Sequence, residues 1–160
     1  YNGDIFCRFQ PTASANSKIT KLFRDMGTMM DQRSEANLAH VHPDICKVIR
    51  GAAQQPQAFE VVYGIRTLEA EKQAVATGHS TTLHSRHLPN KNGLACAVDV
   101  AALTNGKVNF APGHEAEVFG QIWKQIKAEA NALHIPVEWG GDWHSFKDWG
   151  HFQLPWSQYP

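Results

Sequence analysis

The sequence predicts an α+β fold, a single domain in which several helices pack on a small antiparallel sheet. Three observations predict it. Apolar residues recur at helical spacing in the first part of the chain and in one long later segment, short apolar β-branched runs lie between and after these helices, and a hairpin signal joins two of the runs. A length of 160 residues with 42% hydrophobic residues suits one core without disulfides.

Four segments have the pattern of a helix. The first follows an irregular N-terminal stretch, with Ser17 as its cap and a stripe of apolar residues at Ile19, Leu22, Phe23, Met26 and Met30. The second begins at Pro43, since proline favours the first turn. A short third helix covers Leu68–Ala76, and the longest covers 113–134. We therefore divide the chain into an N-terminal arm and helix that packs on the body, 1–37, and a core, 38–160.

The strand candidates are short. They are Phe59–Tyr63, 96–102, 107–110 after the turn signal Asn105-Gly106, 137–139 and 150–154. One of them carries an acid, Asp99, within the apolar run 96–102. A carboxylate buried in a strand requires a cationic partner or a metal.

Composition excludes several classes of protein. Lys plus Arg and Asp plus Glu number 15 each, so the chain lacks the excess positive charge of a nucleic-acid-binding protein. Three widely spaced cysteines form neither a disulfide framework nor a zinc knuckle. The sequence contains no apolar run of bilayer length and no signal-peptide pattern at its start, so we expect no stable insertion into a membrane.

Several polar residues on or near the predicted strands suit a catalytic zinc site. Zinc in hydrolases takes three protein ligands and keeps one position for water. Asp99, His87 before it and His151 on the last strand candidate supply such a set. Asp148, three residues before His151, is placed to reach the same site and to accept a proton from the bound water. The spacing alone leaves alternatives open: Asp99 in an ion pair with Arg66 or Arg86, and each histidine as a surface or hydrogen-bonded core residue.

The joint pattern of motifs narrows these alternatives. In order along the chain these are His42-Pro43-Asp44, Tyr63-Gly64-Ile65-Arg66-Thr67 with Gln73, Ser85-Arg86-His87, Gly93 with Ala97-Val98-Asp99, Trp139-Gly140-Gly141-Asp142-Trp143 and Asp148-Trp149-Gly150-His151-Phe152. The pattern over residues 38–154 resembles the zinc peptidases that include D-Ala-D-Ala carboxypeptidases, the vancomycin-resistance D,D-dipeptidases and the L-alanyl-D-glutamate endopeptidases of phage endolysins.

The resemblance implies roles for individual residues. It implies one zinc ion per chain, carried by the small sheet and bound by His87, Asp99 and His151. It also implies that Asp148 is the catalytic acid and base and that Arg66 stabilises the oxyanion. We expect supporting or substrate-binding roles for Ser85, Asp142, Trp143 and His144, although His144 has a structural or solvated role as its alternative. His79 and His84 are expected to be solvated loop residues.

Two departures from the family pattern indicate its branch. Eleven residues separate His87 from Asp99, where much of the family has six, so 88–92 resemble a loop insertion. Aspartate rather than glutamate at Asp148 resembles the phage endolysin branch. The resemblance therefore implies an endolysin that hydrolyses the L-alanyl-D-glutamate bond of bacterial peptidoglycan. A monomer is the default expectation for its oligomeric state.

The same residues also allow three other functions. The alternatives are a D-alanyl-D-alanine carboxypeptidase or dipeptidase, a non-catalytic cell-wall binding module, and a structural zinc domain closed by His84 or His144. The resemblance also implies synthesis in the host cytoplasm without a signal peptide and action on the wall after membrane permeabilisation.

Overall fold

The computed structural model describes residues 30–78, 80 and 82–160. The helix predicted to follow Ser17 lies outside this part of the chain except for Met30, and so does His79. The elements described below confirm the predicted α+β class, with four helices and one antiparallel sheet. No helix in the described ranges is both long and apolar enough to cross a bilayer.

The sheet is built around one central strand. The strands are β1 (Phe59–Tyr63), β2 (Ala97–Thr104), β3 (Lys107–Asn109), β4 (Glu138–Trp139) and β5 (His151–Gln153). Strand β2 pairs antiparallel with β1 on one edge, and on the other edge its first half pairs with β5 and its last residues with β3. Strand β4 lies outside β5. All five strands were predicted, each within a few residues of its observed bounds.

The four helices are α1 (Gln32–Asn37), α2 (Pro43–Ala52), α3 (Leu68–Ala76) and α4 (Glu115–Leu133). Capping side chains define the starts of two of them. Nδ1 of His42 accepts from the backbone N–H of Asp44 in the first turn of α2, and Oγ1 of Thr67 accepts from the backbone N–H of Ala70 in the first turn of α3. Helices α2, α3 and α4 were predicted, whereas α1 was not.

Helix α1 lacks the apolar stripe that predicts longer helices, and it is stabilised by its cap and by β1. The Asp31 carboxylate accepts from the backbone N–H groups of Arg33 and Ser34. Nδ2 of Asn37 donates to the carbonyl of Val61, 2.8 Å away, and the Ser34 hydroxyl accepts from the Val61 N–H. These contacts attach α1 to the sheet, and the division of the chain at residue 37 stays a prediction.

Alternation along the strands separates a core face from a cleft face. Val98, Val100 and Ala102 of β2 belong to the buried core, together with isoleucines of α2 and α4. The intervening Asp99 faces the other way and lines a cleft of about 1650 Å³. On β5, Phe152 packs in the core while His151 and Gln153 line the cleft. The period of two therefore places the polar residues of neighbouring strands on one surface.

Candidate metal centre

Three elements bring His87, Asp99 and His151 together. Asp99 and His151 are direct cross-strand partners in the β2–β5 ladder, so their side chains project from the same face. His87 lies in the turn before β2, which is held by the backbone bonds from Arg66 N–H to the His87 carbonyl and from Cys96 N–H to the Arg86 carbonyl. These bonds place the His87 ring next to Asp99 and His151 on the paired strands.

The donor atoms of the three side chains form a nearly equilateral triangle. Nε2 of His87 lies 3.1 Å from Oδ1 of Asp99 and 3.2 Å from Nδ1 of His151, and the latter two atoms are 3.0 Å apart. Donors around a tetrahedral zinc ion, with bonds of about 2.0–2.1 Å, lie about 3.3 Å from one another. The triangle therefore has the size that a zinc ion requires.

In each histidine, the ring nitrogen that points away from the triangle makes a hydrogen bond, and that bond determines whether the nitrogen in the triangle carries a lone pair. Nδ1 of His87 is 2.6 Å from the carbonyl oxygen of Gly64, which only accepts, so Nδ1 carries the hydrogen and Nε2 is the free acceptor. Nε2 of His151 is 2.9 Å from Oε1 of Gln153, so its Nδ1 is the free acceptor by the same reasoning. Two imidazole lone pairs and a carboxylate oxygen thus converge on one point.

Three converging acceptors repel one another unless a positive charge lies between them. Burial opposes the charged form of His151, yet its hydrogen bond to Asp99 and the charge of that carboxylate raise the pKa of His151 overall. Burial likewise opposes ionisation of Asp99, but the two histidines outweigh it and lower the pKa of Asp99 well below its usual range. The donor set therefore fits a divalent cation.

No further ligand closes the site within the described part of the chain. The cluster of candidate metal ligands found there consists of His87, Asp99 and His151 alone. His84, one of the two histidines considered as a fourth ligand, instead stacks on Trp156 with ring centroids 4.2 Å apart. His144, the other, is exposed. Three protein ligands facing an open cleft are typical of catalytic rather than structural zinc.

Arg66 forms the ion pair with Asp99 that the sequence had left open between two arginines. Nη2 of Arg66 donates to Oδ2 of Asp99 at 3.0 Å, which leaves Oδ1 for the cation, and Nη1 donates to the fully buried Glu71 at 3.3 Å. Arg86 instead donates to the carbonyl of Leu154. Arg66 therefore orients the aspartate ligand as well as facing the cleft.

Asp148 lines the same cleft and is held by the turn before β5. Its backbone N–H donates to the carbonyl of Gly140, and its own carbonyl accepts from the N–H of His151. A Cβ at position 140 would overlap the Asp148 carbonyl oxygen, so glycine is required for this approach. Burial, and next the charge of Asp99, raise the pKa of Asp148 above its usual value. A raised pKa suits a group that both accepts and returns a proton.

The four residues predicted to support the site occupy different positions. The Ser85 hydroxyl accepts from the backbone N–H of His87 and shapes the ligand turn. The Trp143 ring lies 5.1 Å from the ring of His151 and lines the cleft. Asp142 and His144 are exposed and are not among the residues that line the cleft.

Comparison with known proteins tests the resemblance. The family model described as phage L-alanyl-D-glutamate peptidase matches residues 26–151, which include all three candidate ligands and Asp148. The chain belongs to this family.

Two relatives show how far the likeness to the family extends. The L-alanyl-D-glutamate peptidase of Escherichia phage T5 is 30% identical over 125 residues, which cover 78% of this chain and 88% of the phage protein. The crystal structure of the Serratia marcescens L-Ala D-Glu endopeptidase ChiX aligns with a TM-score of 0.71 and 36% identity, and the alignment covers 86% of this chain and 98% of that one. The family inferred from the motifs is confirmed, and the chain is a peptidase.

Sequence reasoning assigned no positioning role to three residues that surround the candidate ligands: Glu71, Gln153 and Glu138. Glu71 lies in a helix whose apolar residues do not gather on one clear face, and nothing in its spacing indicates that its side chain is buried against Arg66. Gln153 carried a usable signal, because it lies two residues after His151 on the same strand and therefore on the same face. Glu138 is identified only by the pairing of β4 with β5.

Proposed function

We propose that this chain is a zinc-dependent endopeptidase that hydrolyses the L-alanyl-D-glutamate bond in the stem peptides of bacterial peptidoglycan. The observation that carries the proposal is the convergence of three acceptor atoms from His87, Asp99 and His151 at the wall of an open cleft. The substrate follows from the family and from the names of the phage T5 and Serratia relatives.

His87, Asp99 and His151 hold the zinc ion in this proposal. When bound, zinc supplies Lewis acidity that polarises a carbonyl group and lowers the pKa of water. The chain provides for this chemistry by fixing the ligand atoms in advance: the Gly64 carbonyl orients His87, Arg66 orients Asp99, and Gln153 orients His151.

Asp148 moves the proton. The Asp148 carboxylate accepts a proton from the attacking water and returns it to the amine that leaves with D-glutamate. Two features support this role: Asp148 lines the cleft beside His151, and burial raises its pKa toward the range in which a carboxyl group exchanges protons.

Arg66 has two roles in the proposal. Its bonds to Asp99 and Glu71 employ one N–H of each terminal nitrogen, and a guanidinium has five N–H donors. We assign the remaining donors to the scissile carbonyl, where a fixed cation favours the developing oxyanion. Trp143 and Ser85 also line the cleft and form part of the proposed substrate-binding surface. The supporting roles of Asp142 and His144 stay predictions.

The proposed setting is a monomer, made in the host cytoplasm, that reaches the wall after membrane permeabilisation. Peptidoglycan is then available as substrate only at lysis. Family membership supports this setting. Size-exclusion chromatography with light scattering tests the monomer directly.

Digestion of purified muropeptides tests the bond. The expected products, separated by mass spectrometry, are free L-alanine ends on the glycan side and peptides that begin with D-glutamate, and a chelator should abolish both. Release of D-alanine would instead indicate a D-alanyl-D-alanine peptidase. Binding to cell walls without any release of peptide would indicate a non-catalytic module.

A further inference from the structure

A chain of hydrogen bonds connects the surface of the protein with the back of His151. Gln153 Nε2 donates to Oε2 of Glu138 at 2.7 Å, and Oε1 of the same amide lies 2.9 Å from Nε2 of His151. His151 and Gln153 share one face of β5, and Glu138 is the cross-strand partner of Gln153 on β4. Gln153 is buried and Glu138 is exposed.

The chemistry of these groups allows one orientation. An ionised carboxylate only accepts hydrogen bonds, so the Gln153 amide must turn its nitrogen toward Glu138 and its oxygen toward His151. An amide oxygen also only accepts, so Nε2 of His151 must carry a hydrogen. A neutral imidazole has one N–H, and the lone pair is therefore on Nδ1, the atom that faces Asp99 and His87.

We propose that Glu138 and Gln153 are positioning residues that keep His151 in the tautomer able to bind the metal. The proposal rests on the proposed function in taking zinc as the ion. Neither residue belongs to the cluster of ligands, and both act by orienting one of them. The exposed carboxylate of Glu138 on β4 thereby controls the buried ligand His151 on β5 through the amide group of Gln153.

Two substitutions at the exposed position 138 separate the roles of acceptor and donor. In Glu138→Gln the new amide oxygen still accepts from Gln153, so zinc affinity should stay within about threefold of the wild type. In Glu138→Lys the ammonium group only donates, so it turns the Gln153 amide around and moves the His151 hydrogen to Nδ1. Zinc affinity should then fall about 10–100-fold. Competition with a chromophoric chelator, using Zn²⁺ and the full chain, measures both values.

The same substitution in a Gln153→Leu variant controls for direct repulsion between the new lysine and zinc, because that repulsion is present whether or not the Gln153 amide is there. In Gln153→Leu the amide is absent, so adding Glu138→Lys should change zinc affinity less than threefold further. ¹⁵N NMR of the His151 ring in the zinc-free protein gives an independent readout: Nε2–H in the wild type and Glu138→Gln, and Nδ1–H in Glu138→Lys. Wild-type affinity in Glu138→Lys, or an equal loss in the Gln153→Leu background, overturns the proposal. Either result leaves the proposed function intact, whereas a wild type that binds no zinc would contradict the proposed function itself.

The charges of the cleft carry a second, independent inference. Four Lys or Arg residues line the cleft in the described part of the chain: Arg33, Arg66, Arg86 and Lys147. The three arginines are engaged by Glu60, by Asp99 with Glu71, and by the carbonyl of Leu154, respectively. Lys147 is exposed and makes no ion pair with any other described residue. Among the described residues, it is thus the cleft lysine or arginine whose charged group is not already engaged by a carboxylate or a carbonyl, and it can bind an anionic substrate group.

The substrate in the proposed function contains such a group next to the scissile bond. Glutamate has two carboxyl groups, and only one of them continues the peptide, so the D-glutamate residue keeps one free carboxylate. Its amine is the leaving group that Asp148 protonates, and Lys147 directly precedes Asp148 and lines the same cleft. We infer that Lys147 binds the free carboxylate of D-glutamate, and this inference rests on the proposed function.

Two synthetic stem peptides that differ only in this group test the inference. One has the free carboxylate and the other the carboxamide. The wild type should cleave the acid with a kcat/KM about 2–5-fold higher at low ionic strength, Lys147→Gln should cleave both equally, and Lys147→Glu should prefer the amide. Lys91→Gln, at an exposed lysine that does not line the cleft, should match the wild type.

Two outcomes contradict the role of Lys147. Equal cleavage of the two peptides by the wild type would show that the free carboxylate is not recognised. A preference for the acid that persists in Lys147→Glu would show that another group recognises it. Cleavage of neither peptide by the zinc-loaded wild type would instead overturn the proposed function, and this inference with it.

Discussion

Asp148 and the three candidate ligands lie in one cleft but have different proposed roles, proton transfer and metal binding. Single substitutions should distinguish the two roles. In Asp148→Asn the amide has a similar size and cannot accept the proton from water. We expect this variant to retain one zinc ion and to lose about 10²–10⁴-fold in kcat. Metal analysis and release of muropeptides measure the two quantities on the same sample.

His87→Ala provides the matched comparison for Asp148→Asn. It removes one corner of the donor triangle, so the protein should lose both zinc and activity. Normal hydrolysis by Asp148→Asn would show that another group accepts the proton. Normal zinc content in His87→Ala would contradict the proposed set of ligands.

Glu71 is the buried residue on which the orientation of Arg66 depends. Its side chain is fully buried, with Arg66 on one oxygen and the Ser80 hydroxyl, 2.7 Å away, on the other. Glu71→Ala leaves the partly buried guanidinium of Arg66 with one carboxylate instead of two, and we expect it to lower the free energy of unfolding by about 3–5 kcal/mol. Urea denaturation measures this loss.

Glu71→Gln tests whether the charge or the shape of Glu71 matters. The amide oxygen retains one acceptor, so the loss of stability should be clearly smaller than in Glu71→Ala. Equal stability of Glu71→Ala and the wild type would show that Asp99 alone suffices to hold Arg66.

At the scale of elements, the junction between β1 and α1 positions the first ligand. Gly64 follows β1 immediately; a Cβ there would overlap the carbonyl oxygen of Asn37 and lie 2.7 Å from the side chain of Val41. The Gly64 carbonyl in turn fixes the ring of His87. Gly64→Ala should therefore lower stability by about 1–3 kcal/mol and weaken zinc binding as well.

Gly120 in α4 is the control for Gly64. It is a helical glycine with open space around its missing Cβ. Gly120→Ala should stabilise the protein by about 0.5–1 kcal/mol without affecting zinc. Thermal unfolding and zinc titration of both variants measure these effects, and similar behaviour of the two would contradict the role of the junction.

The elements that are easiest to predict from sequence are those with an apolar period of their own. Helix α4 and strand β2 have enough apolar residues at the right spacing to be identified without tertiary information. Helix α1 could not be identified, because its six residues depend on contacts with Val61, 24 to 27 positions away. Local pattern does not contain such distant contacts.

The site was predictable as a set of residues and not as a network. Motif order was sufficient to select His87, Asp99 and His151, which the fold then brings within hydrogen-bonding distance. The choice between Arg66 and Arg86 as partner of Asp99 depends on how two turns dock, and the tautomer of His151 depends on an amide held by another strand. These features require three-dimensional orientation, which spacing along the chain does not specify.

At the scale of the whole molecule, a bound ion would join three separate parts of the chain. His87 belongs to a turn, Asp99 to the central strand and His151 to the last strand, so a bound ion links segments up to 64 residues apart. Zinc bound to the folded chain stabilises it by mass action, by about 4.1 kcal/mol when the free ion is 1,000-fold above its dissociation constant.

The last prediction follows from this link. Removing zinc with a chelator should lower Tm by several degrees, because the folded chain then loses the stabilisation that the bound ion provides, and adding zinc back should restore it. In His151→Ala the same chelator should leave Tm nearly unchanged, since the ion has no site to leave. Calorimetry of both proteins at equal concentration makes the comparison. If chelation shifts neither protein, the converging acceptors do not bind zinc, whereas an equal shift in both would place the bound ion at another site.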